Sequence, residues 1–407
     1  PRSRDVIQAG TTTVAGAYES YLQGLGYLQR YEVVSNLDVA ISLFEHSIEQ
    51  DSTYALAHAR LGEACWRKFE ALKEDVWVKM AVEECERAYQ LNGSLPEVNI
   101  ALGMVHSGAG RYEEAVKDFQ RALDVDAISA AAYGGLAKAY EAKAMMNEAE
   151  ATYHKAIALK PDYWGGHNDL GVFYFRHSRY EDAVTEFRRV VELTPDNERG
   201  LSNLGGIYYL LKRWSDARQM FERALALRKT YRVCSNLGTL YYIEGEYAKA
   251  ARMYETALAL NDKDYRVWGN LATAYFWASG EREKAEKTYR NAIDLAEKQK
   301  KINPQDPEVI SDLAGYYSMI GERTKTLSFI EQATTLAPQD VHVMYRIGAA
   351  YEQMGDRENA LKCIGKALKN GYPLAEIEHQ PELRLLREDK RFQQMIQEGR
   401  SESGKRN

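Results

Sequence analysis

Proline is scarce, with nine in 407 residues. So few breakers leave long stretches free to form uninterrupted helices. Missing too is any apolar run near the roughly 20 residues that a bilayer-spanning helix needs. Positive charge is not in excess. Lys and Arg number 53 against 59 Asp and Glu, a net charge of −6, which argues against bulk attraction to nucleic acid. The four cysteines, Cys65, Cys85, Cys234 and Cys363, form no CxxC motif. They read as buried reduced thiols, which favours a reducing compartment and a cytoplasmic location. The eight histidines make neither HExxH nor an HxxxH pair, so no metal or other cofactor is expected. His106 reads as a core residue. Gly165-Gly166-His167-Asn168-Asp169-Leu170-Gly171 lacks a following Lys-Ser/Thr and follows no strand, so it reads as a helix start and not a phosphate loop. No Ser-His-Asp or Cys-His arrangement is legible, and catalysis within this chain is not expected. No signal peptide is visible and the first residue is Pro1, which suggests a processed chain or a piece of a larger protein.

What is present is a period of 34 residues. Leu102-Gly103 is followed by Leu136-Ala137, Leu170-Gly171 and Leu204-Gly205. Three residues after each small residue come His106, Tyr140, Tyr174 and Tyr208. Ala115, Ala149, Ala183 and Ala217 follow, then Phe119, Tyr153, Phe187 and Phe221. Within one period Tyr133, Leu136, Ala137 and Tyr140 make one helical stripe, and Ala149, Tyr153, Ala156 and Ile157 make a second. Each unit is therefore a pair of amphipathic helices. Small residues at 137 and 149 let the two approach, and aromatics at 140 and 153 fill the space beside them. Turns are expected at Gly108-Ala109-Gly110 and Met146-Asn147. A single pair cannot bury its apolar face, so neighbours must stack. The register continues through Gly238, Ala272, Ala314 and Gly348 downstream, and Gly62 and Gly24 upstream. About ten units fit between residues 17 and 372. The second helix of the eighth unit has no breaker over 285–301 and is expected to run long. The segment 68–80, with Trp77, fits either a longer helix pair or an exposed loop. Residues 1–16 are a lead-in. Residues 373–398 are expected to cap the last apolar face through Leu374, Leu383, Leu386, Phe392 and Ile396, with 399–407 a flexible tail.

Number each unit so that its small residue is the eighth. Position two then reads Arg199, Arg232 and Arg266 in three consecutive units, and position six reads Asn203, Asn236 and Asn270. Residues four apart share a helix face. Asp169 and Asp312 hold position six on either side. Position nine is small (Gly206, Thr239, Thr273), and position twelve is aromatic (Phe175, Tyr209, Tyr242, Phe276). Asparagine offers a donor and an acceptor, which suits the backbone of an extended peptide. Arginine adds bidentate contacts to carboxylates. These residues are equally compatible with a solvated helix face, and the aromatics with packing between units. The site expectation is a concave-face groove of Arg199, Asn203, Arg232, Asn236, Arg266, Asn270, Tyr209, Tyr242 and Phe276. It would take an extended or acidic protein or peptide segment.

By its Leu-Gly/Ala, Tyr, Ala, Phe/Tyr, Ala, Pro pattern the chain resembles the tetratricopeptide-repeat family over about residues 17–372. That resemblance implies an all-α fold, a right-handed superhelical solenoid of about ten helix–turn–helix repeats with a C-terminal cap. The asparagines at 203, 236 and 270 resemble the ladder lining the superhelix of O-linked N-acetylglucosamine transferase, which implies a peptide-backbone role for those three. The carboxylate clamp of chaperone-adaptor repeats is not matched, since positions five and nine hold Ser202, Ser235, Gly269 and the small residues above. The opening Tyr18-Glu19-Ser20-Tyr21-Leu22-Gln23-Gly24 and the tail from Leu383 to Phe392 resemble C-terminal arrays of bacterial multidomain signalling proteins, which follow kinase, nucleotide cyclase, winged-helix or TolB-like domains. An interaction scaffold in such a protein is the first expectation. Two others stay open: the substrate-recruiting half of a glycosyltransferase-like enzyme, and a homo-oligomerisation module built on the position-twelve aromatics or the long helix.

Overall fold

The computed structural model describes residues 12–31, 33–72, 74–378 and 380–403, with the backbone alone at 375, 376 and 398–403. Among the described residues all regular structure is helical. Ten helix pairs follow one another, and the chain divides into two units at Gly200. The first unit holds α1 (Ala15–Leu28) with α2 (Val34–Gln50), α3 (Ala55–Leu72) with α4 (Asp75–Asn92), α5 (Pro96–Gly108) with α6 (Tyr112–Val125), α7 (Ala130–Ala142) with α8 (Met146–Leu159), and α9 (Trp164–Arg176) with α10 (Tyr180–Leu193). The division falls inside α11 (Glu198–Leu210). The second unit continues with α12 (Trp214–Leu227), α13 (Tyr231–Ile243) and α14 (Tyr247–Leu260), α15 (Tyr265–Trp277) and α16 (Arg282–Ile302), α17 (Pro307–Met319) and α18 (Arg323–Leu336), and α19 (Val341–Gln353) and α20 (Arg357–Lys369).

The small residue of each pair is where its helices meet. A Cβ on Gly103 would stand 2.8 Å from the Phe119 ring, and one on Gly238 would stand 2.8 Å from Tyr254. The facing ring fills the place a side chain would take, so the pattern Gly-then-aromatic is one steric statement. The corner between the two helices is also fixed. The N–H of Arg179 donates to the carbonyl of Tyr174 (2.9 Å), that of Glu246 to Tyr241 (2.8 Å) and that of Asp356 to Tyr351 (2.9 Å). This six-to-one bond needs a left-handed residue just before the donor. Gly245 takes it at φ 78°, but Ala144, Ser178 and Lys212 take it without being glycine, at φ 57°, 58° and 59°. The corner of pair four is therefore at Ala144, and the turn expected at Met146-Asn147 is instead the first turn of α8.

Neighbouring pairs are joined as regularly. The first helices of adjacent pairs lie against one another, as α3 does on α5 and α17 on α19. Tyrosine hydroxyls bond from one pair to the one before it: Tyr174 to Glu150 (2.8 Å), Tyr241 to Glu222 (3.3 Å), Tyr275 to Glu255, and Tyr317 to Glu297 (2.5 Å). The described residues of segment 68–80 form a longer helix pair. Its ends extend α3 and α4, and Lys68 clasps them, its ammonium 3.6 Å over the Trp77 ring and 2.5 Å from Asp38. Helix α16 runs 21 residues, against 14 for α14.

After α20 come α21 (Leu374–Glu378), a 3₁₀ turn (Pro381–Leu383), α22 (Arg384–Arg387) and α23 (Lys390–Ser403). Leu383, Leu386 and Phe392 are fully buried with Ile364 and Ala367 of α20, and Leu374 and Ile396 pack at the edge of that cluster. Of the ends, residues 1–11 and 404–407 lie outside the described residues.

Candidate functional site

Each first helix of the repeat carries polar residues at fixed positions, and most have a structural task. Position four reaches back six residues to hold the preceding loop. Asn99 donates to the carbonyl of Gly93 (2.8 Å) and the Trp268 indole to that of Asp262 (2.8 Å), and the rings of His58 and His167 stand 3.2 and 3.1 Å from the carbonyls of Ser52 and Pro161. Those two histidines also meet Glu84 and Glu186 at 2.6 and 2.7 Å. His106 pairs with buried Asp118 at 2.5 Å. Among the described residues no cluster of three His, Cys, Asp or Glu side chains could hold a metal ion, and no helix is long and apolar enough to cross a membrane. The four cysteines are free thiols, and burial pushes Cys65 up to about 12, far from the thiolate form.

The polar face of interest lies on α13, α15, α17 and α19 of the second unit. Arg232 is exposed on α13, one turn before Asn236, and makes no ion pair with any described residue. Arg266 on α15 is engaged: its guanidinium meets Glu308 at 2.8 Å and Asp312 at 3.8 Å. Asp312 is shared with Arg346 (3.1 Å) and accepts from the Tyr265 hydroxyl (3.1 Å). Burial raises the Asp312 carboxyl, and Arg346 offsets part of that. Position two thus differs between α13 and α15, although both hold arginine. On α11, Arg199 is exposed and stands one turn before the partly buried Asn203. The threonines at position nine serve the interior of their own pairs. Thr239 accepts from the buried Tyr254 hydroxyl at 3.0 Å, and Thr273 meets that of Tyr289 at 2.8 Å.

Asn270 lines a half-open cavity of about 260 Å³ together with Trp277, Asp312, Tyr316, Arg346 and Glu382. Its walls come from α15, α17 and α19, and the chain beyond α20 closes one side. Two position-twelve aromatics belong to its surroundings. Tyr242 packs its ring 5.3 Å from Tyr247, Tyr247 lies 6.5 Å from Trp277, and Phe276 meets Trp277 edge-on at 5.2 Å. Phe276 is also covered by the Arg282 guanidinium at 4.3 Å. Tyr209, on α11, is partly buried. The indole nitrogen of Trp277 is buried and has no hydrogen-bond partner.

Sequence reasoning did not find Arg346, Tyr316 or Glu382. For Arg346 a signal was available: it holds position six of the tenth unit, after Asp312 in the ninth. Glu382 carried none, because it lies beyond the last repeat.

Tetratricopeptide-repeat profiles match residues 106–167, 166–230, 241–294 and 341–370, together about half of the chain. The tetratricopeptide repeat-containing protein trd-1 of Caenorhabditis elegans is 25% identical over 156 residues, which is 38% of this chain and 18% of that protein. The chain therefore spans less than a fifth of that relative's length. A monomeric IFIT1 mutant with Gppp-AAAA superposes with a TM-score of 0.51 and 17% identity over 79% of this chain and 72% of that one, a likeness of fold. A human IFIT1 dimer with PPP-AAAA gives 0.46 and 19% over 74% and 69%. Pseudomonas aeruginosa pilF gives 0.44 and 24% over 53% and 94%. With its successive helix pairs, the small-and-aromatic register and the repeat profiles that match it, the chain belongs to the tetratricopeptide-repeat family, whose repeats generally mediate protein–protein interaction.

Proposed function

We propose that the chain is a non-catalytic scaffold that holds an extended protein segment against the first helices of pairs six to eight. The observation that carries this reading is the half-open cavity beside Asn270, at the pair-eight end of that stretch, where side chains from α15, α17 and α19 converge with both donors and acceptors. Asparagine amides at 203, 236 and 270 suit peptide backbone groups, whatever the side chains of the segment. Arg199 and Arg232 favour acidic stretches, while Arg266 serves mainly to position Asp312 and Glu308. Apolar contact comes from Tyr209, Tyr242 and Phe276. Three of the four thiols are buried and all are free, which fits a cytoplasmic setting. We further infer, from the motifs at its two ends, that the array is the recruitment region of a larger bacterial signalling protein.

The test is an array of twelve-residue synthetic peptides of acidic, neutral and basic composition, probed with the labelled chain. Replacing Asn203, Asn236 and Asn270 together by Ala is expected to weaken all bound peptides alike. Replacing Arg199 and Arg232 is expected to weaken only the acidic ones, and mainly at low salt. A triple asparagine variant with an unchanged binding profile would overturn the groove assignment.

A further inference from the structure

The segment after the last repeat does more than cover its apolar end. Arg387 ties its backbone into a loop by donating to the carbonyls of Ile377 (2.9 Å) and Gln380 (2.5 Å). Leu383 and Leu386 anchor the loop in the core below α20. From that anchor the tip, residues 380–382, turns back to α13 and α19, where Glu382 meets Tyr242 and Gln353. The Tyr242 hydroxyl donates to the Glu382 carboxylate at 3.2 Å, across 140 residues of sequence. Gln353 donates to the Glu382 carbonyl at 3.4 Å. Gln380 and Glu382 thereby form one side of the cavity that also exposes Asn270. Such a tip has the chemistry expected of a bound peptide: one acidic side chain, one backbone carbonyl and an adjoining leucine.

The polar tip is also the weak part of the clasp. Among the described residues Tyr242 is the one side-chain donor that reaches the Glu382 carboxylate, and it is neutral. Burial raises that carboxyl above the ordinary glutamate range, and the Tyr242 hydrogen bond and the charge of Arg387 offset only part of this. Below the tip, anchoring rests on Leu383 and Leu386, both buried in the core under α20.

Resting on the groove reading above, we propose that residues 380–382 are an internal occupant of the groove, and that its external partner is a protein segment that presents a glutamate to Tyr242 and a backbone carbonyl to Gln353 in their place. Binding in trans is then a displacement. The partner's apparent affinity is lowered by the fraction of molecules whose own tip is seated. Weakening the tip without touching the groove strengthens the partner.

The experiment uses the whole chain with ¹⁵N-labelled tryptophan and reads the Trp277 indole resonance, assigned through Trp277→Phe. The probe is a synthetic peptide with the sequence of residues 377–387, added to millimolar concentration. Glu382→Lys should move the indole resonance and bind the peptide about tenfold more tightly than the unaltered chain. Glu382→Gln should leave the resonance in place and bind no better. A peptide in which the glutamate corresponding to Glu382 is replaced by Lys should not bind. Equal binding to the unaltered chain and Glu382→Lys would overturn the internal occupant and leave the groove standing. An indole unmoved by Glu382→Lys would also overturn it. A moved indole with no peptide binding would overturn the groove as well. If Glu382→Lys does not fold, Tyr242→Phe reports in its stead: the indole must shift and the peptide must not gain affinity, and either failure counts against the proposal.

Discussion

The hydroxyls of Thr273 and Tyr289 lie 2.8 Å apart inside the eighth helix pair, and Thr239 and Tyr254 repeat the contact at 3.0 Å in the seventh. Pair six has Gly206 and Phe221 at the same places and needs no such bond. Threonine at position nine and tyrosine on the second helix are therefore one choice. Thr273→Val should leave the Tyr289 hydroxyl unsatisfied and lower stability by about 1–3 kcal/mol. Adding Tyr289→Phe should restore most of the loss, as a double-mutant cycle by urea unfolding would measure. Additive losses would contradict the pairing.

The corners offer a second test. Lys212 holds a left-handed conformation at φ 59° where Gly245 holds the same one at φ 78°. Lys212→Gly should raise stability by up to about 1 kcal/mol, and Gly245→Ala should lower it by about 1–2 kcal/mol. Both effects should appear in denaturant midpoints with the slope unchanged. A stabilising Gly245→Ala would contradict the corner geometry.

A third prediction concerns acid. Glu63 is buried between Arg60 (2.7 Å) and Arg67 (2.8 Å) on α3. Burial alone would raise its carboxyl, but the charges of Arg67 and Arg60 outweigh it and bring the group down to about 2. A depressed carboxyl stabilises the fold at any pH above its unfolded value, and that stability is lost as pH falls towards 2. Glu63→Gln should cost about 2–4 kcal/mol at neutral pH, because two half-covered arginines lose their partner, and should flatten the acid limb of the melting curve.

Glu382 has the opposite sign. Burial raises its carboxyl, so the folded chain holds that proton more tightly than the unfolded one. Its contribution is most favourable below the unfolded value near 4.5 and declines as pH rises above it. The groups around it are Arg387 and the tyrosines Tyr242, Tyr247 and Tyr289, whose hydroxyls burial pushes above the ordinary phenol value, away from that window. The stability gained by Glu382→Gln over the unaltered chain should therefore grow from pH 4.5 upwards. A gain that shrinks with rising pH would refute the assignment.

Most of the fold was legible because the repeat writes the same steric contact many times. Gly103 against Phe119 and Gly238 against Tyr254 are readable at any position once the period is known. The segment 68–80 was ambiguous for a physical reason. Its helical ends are held by Lys68 on Trp77 and Asp38, a contact with no repeat counterpart. The inward leucines beyond residue 373 were legible from apolarity, as Leu383 and Leu386 illustrate. The site was less so. Arg232 and Arg266 are the same residue at the same position, yet only Arg266 meets carboxylates, because α17 carries Glu308 and Asp312 beside it. Tyr242 and Glu382 meet across 140 residues without any periodicity to announce it.

The tyrosine–glutamate bonds that join Tyr241 to Glu222, Tyr275 to Glu255 and Tyr317 to Glu297 each span a single joint. Once the long-range Tyr242–Glu382 contact has parted, such neighbour-only bonds make the array yield joint by joint when it is stretched. Pulled from its ends, the second unit should give a series of low force steps, each releasing one pair. Tyr275→Phe should lower the step at its own joint while leaving distant ones unaltered. A hydroxyl set three residues after the small residue is thus a local spring constant, written once per repeat and adjustable without disturbing the rest of the stack.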